Sequence, residues 1–368
     1  MSFDLARVIR PEVRALTAYQ TGTMPSGRPT RLDANESPFL LGEAIRGELA
    51  AELAAALADV ELHRYPDPEA RELKTLLSRE LALPVEQILV TNGSDEGISL
   101  LLLATPGPVL FPVPTFAMYE LGARAQGRGV VGVPLTAEYS FDLPAVLAAL
   151  ESAAPRLVFL ARPNNPTGGL IDEADLAAVL AACGGTICHA LVVVDEAYVQ
   201  YSGQSVLSWL GRYPNLVILR TLSKIGLAGI RLGMLIGEPA LVAEINKIRP
   251  PYNVNALSQA AARVVLSQGE VVARHAATIV AERERLRAAL ANLPGVRAFP
   301  SRANFFLMRT ACPGDSVFRG LMARGLVVKN FSHAPYLADC LRVTVGTPEE
   351  NDAFLAALCA VLEQEGAA

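Results

Sequence analysis

The sequence predicts an α/β protein: a mostly parallel seven-stranded sheet covered by helices, with a smaller α+β C-terminal domain. Three observations predict it. Seven short apolar runs are continuous rather than alternating, as strands covered on both faces require. Helical patterns separate those runs, the alternation expected where crossover helices join parallel strands. With 51% of its 368 residues apolar, the chain can bury the core of such a sheet and of a second unit besides.

In chain order, residues 1–30 read as an arm, broken repeatedly by Pro11, Gly22, Pro25, Gly27 and Pro29. A helix rich in Ala and Leu is expected from Leu41 or Gly42 to about Leu62, and another over 68–81 with Pro68 in its first turn. The seven strand-like runs follow at 87–91, 109–111, 130–134, 157–161, 191–194, 216–219 and 234–236. Arg249-Pro250-Pro251-Tyr252 interrupts the pattern. Helices are expected beyond it at about 256–268 and 270–292, then a strand at 304–309, a helix at 315–324, strands at 326–329 and 341–345, and a helix at 348–363. The expected division is an arm (1–30), a large domain (51–255), and a small domain built from 31–50 and 256–368.

Composition excludes several classes. A net charge of -5 gives no electrostatic reason to expect nucleic acid or an anionic membrane as partner. No apolar run reaches the ~18 residues a membrane span needs. The first residues carry an early acid, Asp4, and no apolar core, so no secretory signal is expected. The five cysteines are scattered and odd in number, which fits reduced thiols in a cytoplasm. Cys183, Cys188 and His189 lie close together, but no second ligand pair follows; small buried thiols beside a strand are expected there, and no metal.

Four polar clusters sit just after apolar runs, where open α/β sheets bind ligands. The first is Thr91-Asn92-Gly93-Ser94-Asp95-Glu96-Gly97. Gly93 permits a tight turn, and Ser94 and Asp95 can cap the next helix, leaving N–H groups for a phosphate; an ordinary capped helix fits equally well. The second is Arg162-Pro163-Asn164-Asn165-Pro166-Thr167-Gly168, a stiff loop in which Pro166 keeps Asn165 extended and its amide free to donate to an anionic oxygen; a plain turn is the alternative. The third is Asp195-Glu196-Ala197-Tyr198. A carboxylate at the end of a buried strand needs a partner, and either a cationic heterocycle nitrogen or Arg220 would serve. The fourth is Ser223-Lys224 with Arg231 seven positions on. Most lysines are solvated surface charges. Lys224 instead leaves the end of a buried strand, and an amine that is desolvated or close to other cations loses basicity and can attack a carbonyl carbon. Ser223 and Arg231 can hold a phosphate, or else cap a turn and pair on the surface.

Together the clusters supply an amine for a Schiff base, an acid for a pyridinium, donors for a phenolate and a phosphate cup, which are the demands of pyridoxal 5′-phosphate. In that order, Asn-Gly-Ser-Asp-Glu, Pro-Asn-Asn-Pro-Thr-Gly, Asp-Glu-Ala-Tyr, Arg-Thr-Leu-Ser-Lys and Leu-Arg-Val-Thr-Val-Gly, the chain resembles the fold-type I pyridoxal-phosphate aminotransferases. Leu32-Asp33-Ala34-Asn35-Glu36-Ser37-Pro38, Arg64-Tyr65-Pro66 and the stretch from Leu341 to Asn351 narrow the resemblance to the histidinol-phosphate aminotransferases, over nearly the whole chain.

The resemblance implies that Lys224 holds the cofactor and shuttles the proton, and that Asp195 pairs with the pyridine N–H. It places Asn165 and Tyr198 at the ring hydroxyl, Phe116 on the ring face, and Ser94, Asp95, Ser223 and Arg231 around the cofactor phosphate. Tyr65 reaches that phosphate from a second subunit, so a homodimer is implied. Arg342 binds the substrate anion with Lys329 beside it, and Tyr19, Asn35 and Asn165 close the substrate side. The sequence departs from the family pattern at three points. Phe116 stands where a Tyr is common. Lys224 is followed by Ile225-Gly226, one residue shorter than the usual Ala-Phe-Gly, so a local loop adjustment is expected before Arg231. Lys329 stands where many relatives carry an Arg. The implied activity is transamination between L-histidinol phosphate and 2-oxoglutarate in a cytoplasmic enzyme. The rivals are an aromatic amino-acid aminotransferase, a threonine-phosphate decarboxylase, a cofactor-binding regulatory module, for whose DNA-binding part no basic region leaves space, and a non-catalytic scaffold.

Overall fold

The computed structural model describes residues 3–18, 27–39 and 48–366. Its strands are β1 (Thr30–Leu32), β2 (Ile88–Thr91), β3 (Val109–Val113), β4 (Val130–Pro134), β5 (Leu157–Ala161), β6 (Leu191–Asp195), β7 (Leu216–Thr221), β8 (Gly233–Gly237), β9 (Val296–Ala298), β10 (Phe305–Thr310), β11 (Leu326–Asn330) and β12 (Cys340–Thr344). The larger sheet has seven strands in the order β2-β8-β7-β6-β5-β3-β4, and the smaller has five in the order β1-β11-β12-β10-β9. From β7 to β4 all pairings in the larger sheet are parallel, while β8 runs antiparallel to both β2 and β7.

The continuous apolar runs have a direct cause. Side chains alternate across a strand, and in the central strands both sets are buried. Val192 and Val194 of β6 join one core, and Val193 joins the other; Leu216 and Ile218 of β7 face the first, Val217 and Leu219 the second. Helices on both faces remove water from both sets, so no polar residue is tolerated until the strand ends. Polar residues therefore gather at the carboxyl ends, where Thr91, Asp195 and Thr221 lie. The antiparallel β8 brings its first residue to that same edge, because Gly233 pairs with both Thr91 and Thr221.

The second core lies between the smaller sheet and three helices, Gly269–Leu290, Gly314–Ala323 and Pro348–Gln364. The last begins with a capping box, Thr347 accepting from the Glu350 N–H and Glu350 from the Thr347 N–H. Among the described residues no helix is long and apolar enough to cross a membrane.

Several elements differ from expectation. The helix expected over 68–81 starts at Arg71, because the Asp67 carboxylate accepts the N–H groups of Glu69 and Arg71 and holds the chain in a turn through Pro68. The helix expected from Leu41 or Gly42 is seen as Glu48–Ala58; its expected start lies outside the described residues. The helix Ala256–Leu266, expected with the small domain, packs on Glu48–Ala58 and Arg71–Leu81, and its Ala262 and Val265 belong to the core under the larger sheet. The short strands β1 and β9 were not expected from the pattern, since three residues carry too little periodicity to register.

Candidate active site

A cavity of about 240 Å³ lies at the carboxyl edge of the larger sheet, closed on its far side by the smaller sheet. Its walls include Ser94 and Asp95 after β2, Phe116 after β3, Asn165 after β5, Asp195 and Tyr198 at the end of β6, Ser223 and Lys224 after β7, and Arg231 before β8. The smaller sheet and the segment after β1 add Asn35, Lys329 and Arg342. All four polar clusters thus meet in one space. Tyr65, expected there from a second subunit, does not line it within this chain. Tyr19 lies outside the described residues. Tyr65 is 79% exposed, away from this cavity, and stacks on Tyr252 with ring centres 4.5 Å apart.

Asp195 is buried, and it does not pair with Arg220. That guanidinium binds Glu196 at 2.8 Å instead. The Asp195 carboxylate takes two neutral donors, the Ala197 N–H at 3.0 Å on Oδ1 and the Tyr119 hydroxyl at 2.7 Å on Oδ2. No ion pair reaches it from any described residue. Burial pushes its pKa up to about 6; the Tyr119 and Ala197 hydrogen bonds and the Lys224 charge pull against that, while Asp95 adds to it. A buried carboxylate without a counter-charge is a poor structural device, so its surroundings select a cationic ligand.

Lys224 stands across the same cavity. Its Nζ donates to the Ala34 carbonyl at 3.2 Å and lies 5.9 Å from the centre of the Tyr198 ring. Its backbone carbonyl accepts from the Tyr201 hydroxyl, which fixes the loop. Burial lowers its pKa to about 8, helped by Arg342 and Arg231 and opposed by Glu36 and Asp95. The amine is therefore substantially neutral, and nucleophilic, near pH 8. Capture of a small aldehyde by the cofactor-free protein should accordingly rise with pH and level off just above 8. An exposed lysine would keep gaining reactivity to about 10.4; rates measured between pH 6 and 11 distinguish the two.

At the other end of the cavity is a cup of donors. Gly93, at φ +75°, is the N-cap of the helix Ser94–Ala104. Contrary to expectation, neither Ser94 nor Asp95 caps that helix: they form its first turn, and among the described residues no side chain caps its leading N–H groups. The Glu96 carboxylate accepts the Asn92 N–H at 2.7 Å and steadies the turn. Open N–H groups at a helix start favour an anion. Arg231 donates to Ser223 Oγ and to Asp95 Oδ2, each at 3.2 Å. The loop reaches Arg231 through the short turn Ala228–Ile230, and Arg231 itself is left-handed, φ +51°. The cup depends on close backbone approach at Gly233, where an added Cβ would lie 2.6 Å from both Gly93 C and Ser94 N. Gly233→Ala is expected to destabilise the protein by about 1–3 kcal/mol and to weaken phosphate binding; thermal unfolding with and without inorganic phosphate reads both.

The small-domain side is tied to this frame by polar contacts. Asn35 donates to the Tyr198 hydroxyl at 2.9 Å, and its own backbone N–H donates to Thr344 Oγ1 at 3.0 Å. Arg342 donates to Asn165 Oδ1 at 2.6 Å and to the Asp33 carbonyl. The register sets Lys329 opposite Arg342, and Arg31, on β1, lies one strand further out. Three cations thus line one wall, with Asp33 bound to Arg31 at 2.6 Å among them. Sequence reasoning missed Arg31, Asp33, Thr221 and Tyr119 as cavity residues. Asp33 and Thr221 stand inside motifs already singled out, while Tyr119, three positions after Phe116, reads in sequence as core.

The donor set fits pyridoxal 5′-phosphate: a neutral-leaning amine, a carboxylate lacking a cation, a helix start and a guanidinium for the phosphate, and an aromatic wall at Phe116. Fold and cavity together define an aminotransferase, and residues 28–358 match the family described as Aminotransferase class I and II. The chain is 46% identical to histidinol-phosphate aminotransferase 1 of Ralstonia nicotianae over 98% of its own length and 96% of that protein. It is 45% identical to the histidinol-phosphate aminotransferase of Chromobacterium violaceum, over 97% and 99%. Among solved structures it is similar to the histidinol-phosphate aminotransferase of Clostridium acetobutylicum, with TM-score 0.83 and 25% identity over 91% of this chain and 99% of that one. It is equally similar to the Sinorhizobium meliloti histidinol-phosphate aminotransferase in complex with pyridoxal 5′-phosphate, with TM-score 0.83 and 25% identity over 96% and 97%. The chain belongs to the histidinol-phosphate aminotransferase family.

Proposed function

We propose that the protein transfers the amino group of L-histidinol phosphate to 2-oxoglutarate with pyridoxal 5′-phosphate as cofactor, giving imidazole acetol phosphate and glutamate in histidine biosynthesis. The observation that carries the reading is the pairing, across one cavity, of a buried amine of lowered basicity with a buried carboxylate that forms no ion pair with any described residue. When bound, the cofactor supplies an aldehyde and an electron-accepting ring. Lys224 would hold it covalently until the donor's amine takes its place; the freed Nζ would then take the proton from the donor's amine-bearing carbon and deliver it to the cofactor's exocyclic carbon. Asp195 keeps the ring nitrogen protonated. Asn165 and Tyr198 orient the ring through its hydroxyl, and Phe116 covers its face. The cup of Ser94, Asp95, Ser223 and Arg231 binds the cofactor phosphate. Arg342, with a forked guanidinium, takes the substrate phosphate in one half-reaction and a carboxylate of the acceptor in the other. Lys329 adds charge beside it, and Tyr19 and Asn35 close the substrate side. The name shared by relatives 45–46% identical supports this donor.

The functional unit is a homodimer in this reading, Tyr65 of the partner subunit completing the phosphate cup. An exposed apolar patch supports it, formed by Leu62, Tyr65, Tyr252 and Leu257. Five cysteines without a disulfide among them support a cytoplasmic setting. The test is a donor screen on the purified protein loaded with cofactor. Glutamate should form from 2-oxoglutarate faster with histidinol phosphate than with phenylalanine. A preference for phenylalanine, or release of carbon dioxide from threonine phosphate, would contradict the reading.

A further inference from the structure

We infer that Tyr119 is a positioning residue for the reaction: its hydroxyl holds the Asp195 carboxylate ionised and aimed into the cavity. The inference rests on reading that cavity as the cofactor site. Tyr119 is fully buried on the helix Ala117–Ala125. Its ring is stacked on Phe159, with centres 4.6 Å apart and planes 3° apart, and meets Phe116 edge-on at 5.6 Å. This packing leaves the hydroxyl one place to go, Asp195 Oδ2 at 2.7 Å. The Ala197 N–H occupies Oδ1 from the other side. An ionised carboxylate accepts about four hydrogen bonds. Two fixed donors set its plane and leave acceptor capacity for a ligand in the cavity.

Packing alone does not require the oxygen, since a Phe would fill the same space. What the hydroxyl adds is a donor that does not compete for the charge. Burial and Asp195 push the Tyr119 phenol well above its ordinary range, so it keeps its proton and donates. The other groups facing the carboxylate divide: Asp95, on the helix Ser94–Ala104, disfavours its charge, and Lys224 favours it. Without Tyr119, Asp195 would become more basic and would draw the proton off the ring nitrogen. The same residue run also provides Phe116, the N-cap of this helix, as a cavity wall. One helix start therefore sets both a face of the ligand and the state of its counter-ion.

The test compares wild type with Tyr119→Phe. Carbon-13 NMR of the cofactor-free protein with labelled aspartate carboxyls follows Asp195, its resonance identified by loss in Asp195→Asn. The midpoint, near 6 in wild type, should rise by about one to two pH units in Tyr119→Phe. In the loaded protein, a nitrogen-15 label in the cofactor ring should move toward the unprotonated position. kcat should fall by roughly tenfold, the equivalent of one pH unit in Asp195, with KM unchanged. Phe159→Leu loosens the same stack without removing the hydroxyl and should leave both resonances in place. Should Tyr119→Phe fold poorly, 3-fluorotyrosine at position 119, a stronger donor, should lower the Asp195 midpoint. An Asp195 midpoint unmoved by these changes overturns the inference, whether or not the protein takes the cofactor. A protein that titrates as expected but binds no pyridoxal 5′-phosphate would instead overturn the function proposed above.

Discussion

Lys224→Ala is expected to lower turnover by at least about 10⁴-fold. A positioned acid–base group contributes up to roughly 10⁴-fold, and the same amine also supplies the covalent bond, so both are lost together. The loss should appear with the fold intact. The side chain donates one hydrogen bond, to the Ala34 carbonyl, while the loop is held by its backbone bond from Tyr201. The cofactor should still bind through the open helix start and Arg231, released by dialysis rather than retained. Added small amines should restore part of the rate, because the missing function is a base of suitable basicity. Circular dichroism and cofactor content separate this outcome from simple unfolding.

The second large effect is expected at Asp195. Asp195→Asn should slow the reaction by roughly 10²–10³-fold, the range lost when one fixed electrostatic partner is removed from a water-excluded site. Substrate KM should change little, because Asp195 ends a strand of the larger sheet while Arg342, proposed to take the substrate anion, lies on the smaller one. The stability effect has the opposite sign. The carboxyl pKa is raised from 3.8 to about 6 in the folded protein, so native protein binds the proton more tightly than unfolded chain does. That stabilisation is complete below pH 4 and is lost as pH rises through 6, leaving a penalty of about 3 kcal/mol for the ionised form. Asn carries no such penalty. The cofactor-free variant should therefore unfold at a temperature no lower than wild type at pH 8, and the advantage should vanish near pH 4. Scanning both proteins across that range checks the sign.

Much of the larger sheet was legible in the sequence, for a reason particular strands make plain. β5, β6 and β7 are buried on both faces, so their runs contain no polar interruption, and the first polar residue marks the sheet edge. The cavity-lining clusters lie at that edge, so finding the strand ends located Asp195 and Lys224 as well. β1 and β9 were missed because they are three residues long and belong to the smaller sheet, where one face suffices. The direction of β8 was not legible either. Parallel and antiparallel strands of equal burial read alike, yet it is the reversed direction that delivers Gly233 and Arg231 to the cup. Arg220 and Glu196 show a further limit. Both stand next to site residues in sequence, and only the fold decides that they neutralise each other and that Arg220 does not pair with Asp195. Tyr119 shows the same limit in reverse, since an aromatic on an apolar helix face looks like packing until its hydroxyl is seen on the carboxylate.

One measurement goes to the centre of the proposal. The purified protein, loaded with pyridoxal 5′-phosphate, is treated with borohydride to fix any carbon–nitrogen bond to a lysine, then digested and mapped by mass spectrometry. The pyridoxyl label should appear on the peptide carrying Lys224 and nowhere else, close to one per chain. A label spread over surface lysines, or an unlabelled Lys224 in protein that retains the cofactor, would contradict the assignment.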